Sequence, residues 1–341
     1  MLKIQDKVVL DLNKLKAFSK YFGTNDTLLI TKDGILNFSR NLVFPVKGII
    51  EGFPVIFSGD FLKKLLKEKS GKVEVNFKVE WEKLRAFVLK DNPTNEWDRE
   101  ITDFSTQIVP KAVLEVPDRK GSKPVSVSAL QYLLMFPDYS ICFSGNVAYA
   151  YPYLKPLLVR FSNPFKGLEG FVETPHNFKE LKKFKSATLT WKKVDNTLHV
   201  FNGAIFFKKL EKPEKIEFPE FPKEEWISVN PKLLHDALNE TYTWGEHYKV
   251  ILKNGKLLIE TERYGELLKA EVPYYGKVEA KEFLLRTDFL SYFGAFKKLP
   301  AVELNFGEEF VFLRYQKLEA VFRGMYPESE ETMQTSYTFE G

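Results

Sequence analysis

The feature that most narrows what this chain can fold into is internal repetition: one order of local signals recurs three times, at a period of roughly 110 residues. Each copy opens with a short apolar run that leads into a helix signal. The three openings are Val8-Val9-Leu10-Asp11-Leu12-Asn13-Lys14-Leu15, Val125-Ser126-Val127-Ser128-Ala129-Leu130 and Ile227-Ser228-Val229-Asn230-Pro231-Lys232-Leu233. Asn13, Ser128 and Asn230 stand where an N-cap is needed, and Pro231 suits the first helical position, where its missing N–H is no loss.

A hairpin signal follows in every copy, across residues 28–38 around Lys32-Asp33-Gly34, 141–149 around Ser144-Gly145-Asn146, and 250–259 around Lys253-Asn254-Gly255. Asp-Gly and Asn-Gly between alternating apolar residues favour the tight turn, because that turn needs positive φ. The next signal is a second short helix that starts in the same way each time: Asp60-Phe61-Leu62, Asn177-Phe178-Lys179 and Asp288-Phe289-Leu290. Alternating strands then close the copy, as in Val73-Glu74-Val75-Asn76-Phe77, Leu189-Thr190-Trp191 with Leu198-His199-Val200, and Val302-Glu303-Leu304-Asn305-Phe306 with Phe310-Val311-Phe312. Period-two alternation buries one face of a sheet and leaves the other to solvent.

The pattern predicts an α+β chain of three repeated units, each with two helices packed on antiparallel sheets. The expected boundaries are 1–117, 118–222 and 223–341, and the Pro- and charge-rich stretches 92–123 and 212–223 read as linkers. A hydrophobic content of 44%, with 31 Phe, supplies a core for each unit.

Charge bounds the function. With 50 basic and 46 acidic residues the net charge is only +4, too balanced for a protein that grips nucleic acid through its whole surface. Any positive surface has to be local. Lysines gather on the second helix of each copy: Lys63, Lys64, Lys67 and Lys69, then Lys179, Lys182, Lys183 and Lys185, then Lys297 and Lys298. Lys14, Lys16 and Lys20 add to the first helix of the first copy. One such run is commonly a solvated helix face, whereas recurrence in register points to a shared role.

The last third carries a family resemblance. Phe283-Leu284-Leu285-Arg286-Thr287-Asp288-Phe289-Leu290-Ser291-Tyr292-Phe293, then Val302 to Phe306 and Ala320-Val321-Phe322, resemble the closing domain of the beta subunit of bacterial DNA polymerase III, the sliding clamp. Phe218-Pro219-Glu220-Phe221 is similar to the segment that closes the second domain in that family. The resemblance implies three DNA-clamp domains and a ring-forming, head-to-tail homodimer that encircles double-stranded DNA without sequence preference. It further implies tethering of a DNA polymerase and contact with a clamp loader through short peptide motifs. The lysines above would then face DNA, and lysine suits sliding because it is a flexible, hydrated point charge.

By the same resemblance, partner peptides would enter an apolar pocket formed by Leu154 and Leu157 on a hairpin across 151–159, Pro219 in the linker, and Val321 with Arg323 on the final strand. Two departures bear on it. Leu154-Lys155-Pro156-Leu157 stands where the family has a Gly-His-Arg-Leu type of turn, and Arg323-Gly324-Met325 where it has a Met-Pro-Met type of ending. Residues 328–341 add a polar, acidic tail.

Other classes find less support. The chain has no phosphate loop, no Gly-x-Ser-x-Gly elbow and no His-Glu-x2-His pair, and its four histidines, His176, His199, His235 and His247, are dispersed. The single cysteine, Cys142, excludes a disulfide framework within the chain and a cysteine-rich zinc site; in its alternating segment it reads as a small buried hydrophobe. The absence of these motifs disfavours a hydrolase, although carboxylate pairs such as those of glycosidases leave no short signature. The expectation is a non-enzymatic protein without cofactor or metal, cytoplasmic because no secretory or membrane-spanning run is found. A clamp-fold interaction scaffold that does not encircle DNA is the alternative.

Overall fold

The computed structural model describes residues 7–91, 93–95, 98–152, 156–173, 178–184, 188–243 and 247–326. Along the chain the first elements are β1 (Lys7–Asp11), α1 (Leu12–Lys16), a 3-10 turn (Ser19–Tyr21), β2 (Thr27–Thr31), β3 (Gly34–Asn37), a 3-10 turn (Phe38–Arg40), β4 (Leu42–Pro45), β5 (Ile50–Glu51), β6 (Val55–Ser58), α2 (Gly59–Glu68), β7 (Lys72–Glu80), β8 (Lys83–Leu89), β9 (Glu100–Asp103), β10 (Gln107–Ile108) and β11 (Lys123–Pro124). Then come α3 (Val127–Leu133), β12 (Ser140–Gly145), β13 (Val147–Tyr151), β14 (Leu157–Ser162), β15 (Leu168–Val172), a 3-10 turn (Phe178–Lys183), β16 (Thr190–Val194), β17 (Thr197–Asn202) and β18 (Ala204–Lys209). The last are β19 (Ile227–Val229), α4 (Pro231–Glu240), β20 (His247–Lys253), β21 (Lys256–Arg263), β22 (Glu266–Tyr275), β23 (Lys281–Arg286), α5 (Phe289–Phe293), β24 (Val302–Phe306), β25 (Phe310–Tyr315), β26 (Leu318–Arg323) and β27 (Met325–Tyr326).

The fold is α+β and dominated by antiparallel sheet, as the alternation predicts. Contacts divide it into two compact units, residues 1–125 with 176–211, and residues 126–175 with 212–341. The first unit holds a five-stranded sheet, β5-β1-β7-β8-β9, and a nine-stranded sheet, β10-β6-β2-β3-β4-β18-β17-β16-β11. The second holds one thirteen-stranded sheet, β15-β12-β13-β14-β26-β25-β24-β19-β22-β21-β20-β23-β27.

Both long sheets are spliced by one rule. After the first helix of each repeat come three strands joined by hairpins (β2 to β4, β12 to β14, β20 to β22), and after the second helical segment come three more (β7 to β9, β16 to β18, β24 to β26). In the first unit β4 pairs with β18, through Ile205↔Val43 and Phe206↔Leu42. In the second, β14 pairs with β26 over five positions, from Leu157↔Phe322 to Phe161↔Leu318. The third strand of one repeat thus meets the last strand of the next.

Local chemistry sets the helices with some differences from the sequence reading. Asn230 caps α4 by accepting from the N–H groups of Lys232 and Leu233, with Pro231 following as expected. The α1 cap is Asp11, which accepts from Asn13 and Lys14, so Asn13 already lies inside the helix. Ser126, not Ser128, precedes α3. Ser58 caps α2 by accepting from the Phe61 N–H, and Asp60 sits in the first turn, where its charge suits the helix dipole. Asp288 precedes α5 without a side-chain bond to it, and Asn177 lies outside the described residues. The stretch 92–123 is not a bare linker, since it contributes β9, β10 and β11.

The start of α2 is fixed by close approach of the backbone. The Gly59 N–H donates to the Asp26 carbonyl at 2.7 Å, and a Cβ on Gly59 would lie 1.9 Å from the Gly23 carbonyl oxygen. Only glycine fits there. Phe61, Leu62 and Leu65 then form the buried face of the helix. The expected turn at Asn254-Gly255 has φ of 53° and 73°, the left-handed pair that joins two twisted strands.

Candidate partner face and basic helix surfaces

The thirteen-stranded sheet offers two faces, and register decides which residues share one. On one side Leu157 stands opposite Phe322 and lines a narrow apolar cleft with Phe289, Phe293 and Phe296 at and beyond α5. The other side carries Cys142, Tyr149, Leu158, Arg160, Glu319, Val321, Phe312 and Arg314, by the pairs Cys142↔Tyr149, Tyr149↔Arg160, Leu158↔Val321, Arg160↔Glu319, Phe312↔Val321 and Arg314↔Glu319. This outer face is crossed by the segment 212–226. Phe218 stacks on Phe221 at 5.8 Å, Phe221 on Trp226 at 5.8 Å, and Phe221 meets the edge of Phe312 at 5.2 Å. The Arg160 guanidinium lies 4.3 Å from the Phe218 ring centre, and that of Arg314 4.1 Å from the Trp226 ring centre. Arg160 also donates to Glu319 through Nε at 2.7 Å, and Arg314 to Glu303 at 2.5 Å.

Of the residues expected to line the partner pocket, Pro219 is half-buried within this aromatic segment, Val321 is 4% exposed on the outer face, and Arg323 ends β26 and is exposed. Leu157, 3% exposed, belongs to the opposite face, so it cannot share one pocket with Val321. Leu154 lies outside the described residues. β26 is not the final strand, because β27 follows it and pairs with β23. Sequence reading missed Leu158, whose place follows from strand alternation once Val321 is fixed. It also missed the ladder of Phe218, Phe221 and Trp226 with Arg160 and Arg314, which brings together residues far apart in the chain.

The lysines fall into three groups. In the first unit Lys67 on α2, Lys16 on α1, and Lys179 and Lys182 on the 178–183 turn are exposed, and Lys63 is half-buried; none of them forms an ion pair among the described residues. Others are engaged by the protein itself. Lys14 donates to the Lys47 and Gly48 carbonyls at 2.9 and 3.0 Å, Lys64 pairs with Asp60 at 2.7 Å, Lys183 pairs with Glu180 at 2.7 Å, and Lys69 pairs with Asp91. Lys20 lies in the 3-10 turn after α1, 4.9 Å from the Tyr21 ring centre. In the second unit Lys297 and Lys298 are exposed in the turns that follow α5, not on the helix. Lys185 lies outside the described residues. α3 carries no lysine, and α4 balances Lys232 with Asp236 and Glu240.

The basic turn 178–183 is held by a buried charge network. Arg40 donates to Asp26 at 2.5 Å through Nε and to Glu180 at 2.7 Å through Nη1, and Glu180 accepts from Lys183 with its other oxygen. Burial alone would raise the Asp26 carboxyl, but hydrogen bonds from Arg40, Asn37 and the Gly23 N–H outweigh it and hold the group below the usual carboxylate range. Phe178 on Phe206 and Phe184 against Tyr21 complete the seat of this turn. Among the described residues no three His, Cys, Asp or Glu side chains gather as a metal site, and no helix is long and apolar enough to cross a membrane.

This arrangement has known counterparts. A sliding clamp of DNA polymerase from Pseudomonas aeruginosa superposes with a TM-score of 0.64 at 12% identity, covering 94% of this chain and 99% of that one. The beta sliding clamp of Caulobacter crescentus gives 0.65 at 11% identity, over 93% and 98% of the two chains. DNA polymerase III subunit beta from Borrelia burgdorferi gives 0.63 at 11%, over 94% and 98%. No protein-family model and no curated protein sequence matches. The chain therefore has the fold of the DNA polymerase III beta sliding clamps, over nearly its whole length, with a sequence that has diverged far from theirs.

Proposed function

We propose that this protein is a DNA sliding clamp: two chains of three domains, 1–117, 118–222 and 223–341, close head to tail around duplex DNA and tether a polymerase to it. The observation that carries this reading beyond the fold is the splicing rule. Two joins, β4 with β18 and β14 with β26, use up two strands of each kind. One of each kind is left over: β9 in the first repeat, and β22 in the third, where only Tyr274 and Tyr275 pair with β19. Leu89 and Phe104 beside β9 and Leu267 in β22 are 59%, 53% and 56% exposed. An uncovered apolar edge is normally blunted or paired, and a second copy supplies the pairing.

In this reading Lys16, Lys63, Lys67, Lys179, Lys182, Lys297 and Lys298 make weak phosphate contacts, and Lys14, Lys20, Lys64 and Lys183 add charge near them while engaged by the protein. Topology does the holding, so contacts that read bases are not needed. The polymerase or clamp loader docks a short peptide on the outer face at Pro219, Val321 and Arg323, with Leu158 in place of Leu157. The protein does no bond chemistry and works in the cytoplasm. A scaffold that does not enclose DNA is the second reading, favoured by the absence of lysine on α3 and the balanced charge of α4.

Light scattering at micromolar protein, followed by retention on nicked circular against linear DNA, tests the proposal. A mass near twice 39.6 kDa, with retention on circles and loss from linear ends, is the expected result. A monomer that leaves both templates equally fast overturns it.

A further inference from the structure

Between Glu211 and Ile227 the chain runs as an extended strap across the outer face of the second unit's sheet. Residues 215–225 make no main-chain to main-chain hydrogen bond among the described residues, and Pro213, Pro219 and Pro222 have no N–H to give. Side chains hold it down. Tyr151 Oη donates to Glu214 Oε2 at 2.6 Å, Cys142 Sγ lies 3.5 Å from the Glu214 carbonyl, and Ile216 packs against Cys142, Tyr151 and Phe171. Phe218 follows onto Tyr149, ring centres 6.1 Å apart, and beneath Arg160. Lys215 and Glu217 between them point to solvent. Alternate residues, acidic then aliphatic then aromatic, thus meet the sheet as the side chains of a docked extended peptide do.

We propose that this floor is a peptide-binding groove that the strap occupies in cis, and that it takes, when the strap lifts, an extended partner segment of the pattern Glu-x-Ile-x-Phe. The floor is built for it: Cys142 is fully buried, Tyr151 supplies a hydroxyl donor for the carboxylate, and Tyr149, Leu158 and Phe171 form an apolar bed. A strap secured by a handful of side chains opens locally, ahead of global unfolding. A tethered occupant has a high effective concentration, so the free groove stays closed until a competitor of matching pattern arrives or the anchors are weakened. The groove shares Leu158 with the partner site of the clamp reading, but it does not rest on that reading, and its test needs neither DNA nor a dimer.

Cys142 is the single thiol of the chain, so its reaction with Ellman's reagent reports opening of the strap. The full chain with Ile216→Ser and Phe218→Ser is compared with the wild type, with and without a synthetic peptide of the sequence of residues 213–222. The variant should label about tenfold faster or more, and the peptide at sub-millimolar concentration should slow it severalfold, whereas a peptide with Ser at the Ile and Phe positions should not. Should the variant lose its cooperative melt, Tyr151→Phe removes one hydrogen bond to a charged group and should itself raise labelling about tenfold, again reversed by the peptide. Labelling at the wild-type rate in a folded variant, or labelling indifferent to the peptide, overturns the proposal.

Discussion

Leu158 and Val321 stand opposite each other across the β14–β26 join and rise from the same side of the sheet, while Leu157 rises from the other side against Phe322. On the proposed clamp reading this separation gives neighbours in sequence different jobs. Leu158→Ala with Val321→Ala should weaken binding of a fluorescent peptide taken from the cognate polymerase by about tenfold or more, as truncation of central anchors does. Leu157→Ala should instead lower stability by about 2–5 kcal/mol through a cavity beside α5, with little change in peptide affinity at a temperature where the protein is folded. Fluorescence anisotropy beside calorimetry separates the two; a binding loss for Leu157→Ala alone at unchanged melting temperature would reverse the assignment.

The lysines divide in the same way into unpaired and engaged groups. Lys67→Glu, Lys179→Glu and Lys182→Glu together should shorten the lifetime on circular DNA, and the plot of log affinity against log salt should flatten by about 0.9 for each phosphate that the variant no longer neutralises. Lys64→Gln and Lys183→Gln should have smaller effects, since Asp60 and Glu180 already hold those ammonium groups. Equal effects from the two sets at about 0.1–0.2 M salt, where screening acts within roughly 10 Å, would show that the lining is not selective.

Repeats and alternation make the sheets and most hairpins readable from the chain, because both are local and periodic. The rest is decided elsewhere. The β7–β8 hairpin turns at Trp81-Glu82 with φ of 52° and 62°, a left-handed pair without glycine or asparagine, so no turn signal marks it. The caps of α1 and α2 lie two residues before Asn13 and Asp60, since Asp11 and Ser58 belong to strands whose ends only pairing defines. Lys297 and Lys298 look helical by spacing, but α5 stops at Phe293. The sheet face that carries Val321 and meets the strap is missed by one residue, at Leu157 against Leu158, because a strand's pattern says that faces alternate and only register says which is which.

Arg40 offers a test of what seats the basic turn 178–183. Arg40→Ala leaves Asp26 and Glu180 as buried carboxylates without their shared partner, and a loss of about 3 kcal/mol is expected. The sign with pH follows from Asp26, whose folded-state pKa lies below its ordinary value of 3.8. Its contribution is therefore fully present above about pH 4 and is lost as pH falls through the lower folded value. The Asp26 share of wild-type stability should hold down to about pH 4 and then fall, whereas Arg40→Ala should start lower and lack that share of the acid limb. Calorimetry between about pH 3 and 7 checks both; parallel acid limbs would remove Asp26 from the account.

The strand edges give the sharpest consequence of ring closure. If β22 of one copy pairs with β9 of the next, Leu267 and Phe104 lie at that seam, and both lose their solvent exposure on assembly. Leu267→Asp with Phe104→Asp should then halve the solution mass from near twice 39.6 kDa to a single chain. The melting profile of the two units should be largely kept, because both side chains are more than half exposed in the single chain. A charge on the apolar core of an interface is costly only where it is desolvated, so an unchanged dimer would place the seam on other strands. Retention on circular DNA should fall with the dimer, and restoring both positions to apolar residues of similar size, such as Leu267→Met and Phe104→Leu, should bring back mass and retention together. Return of the mass without retention would separate ring formation from DNA enclosure, and would favour the scaffold.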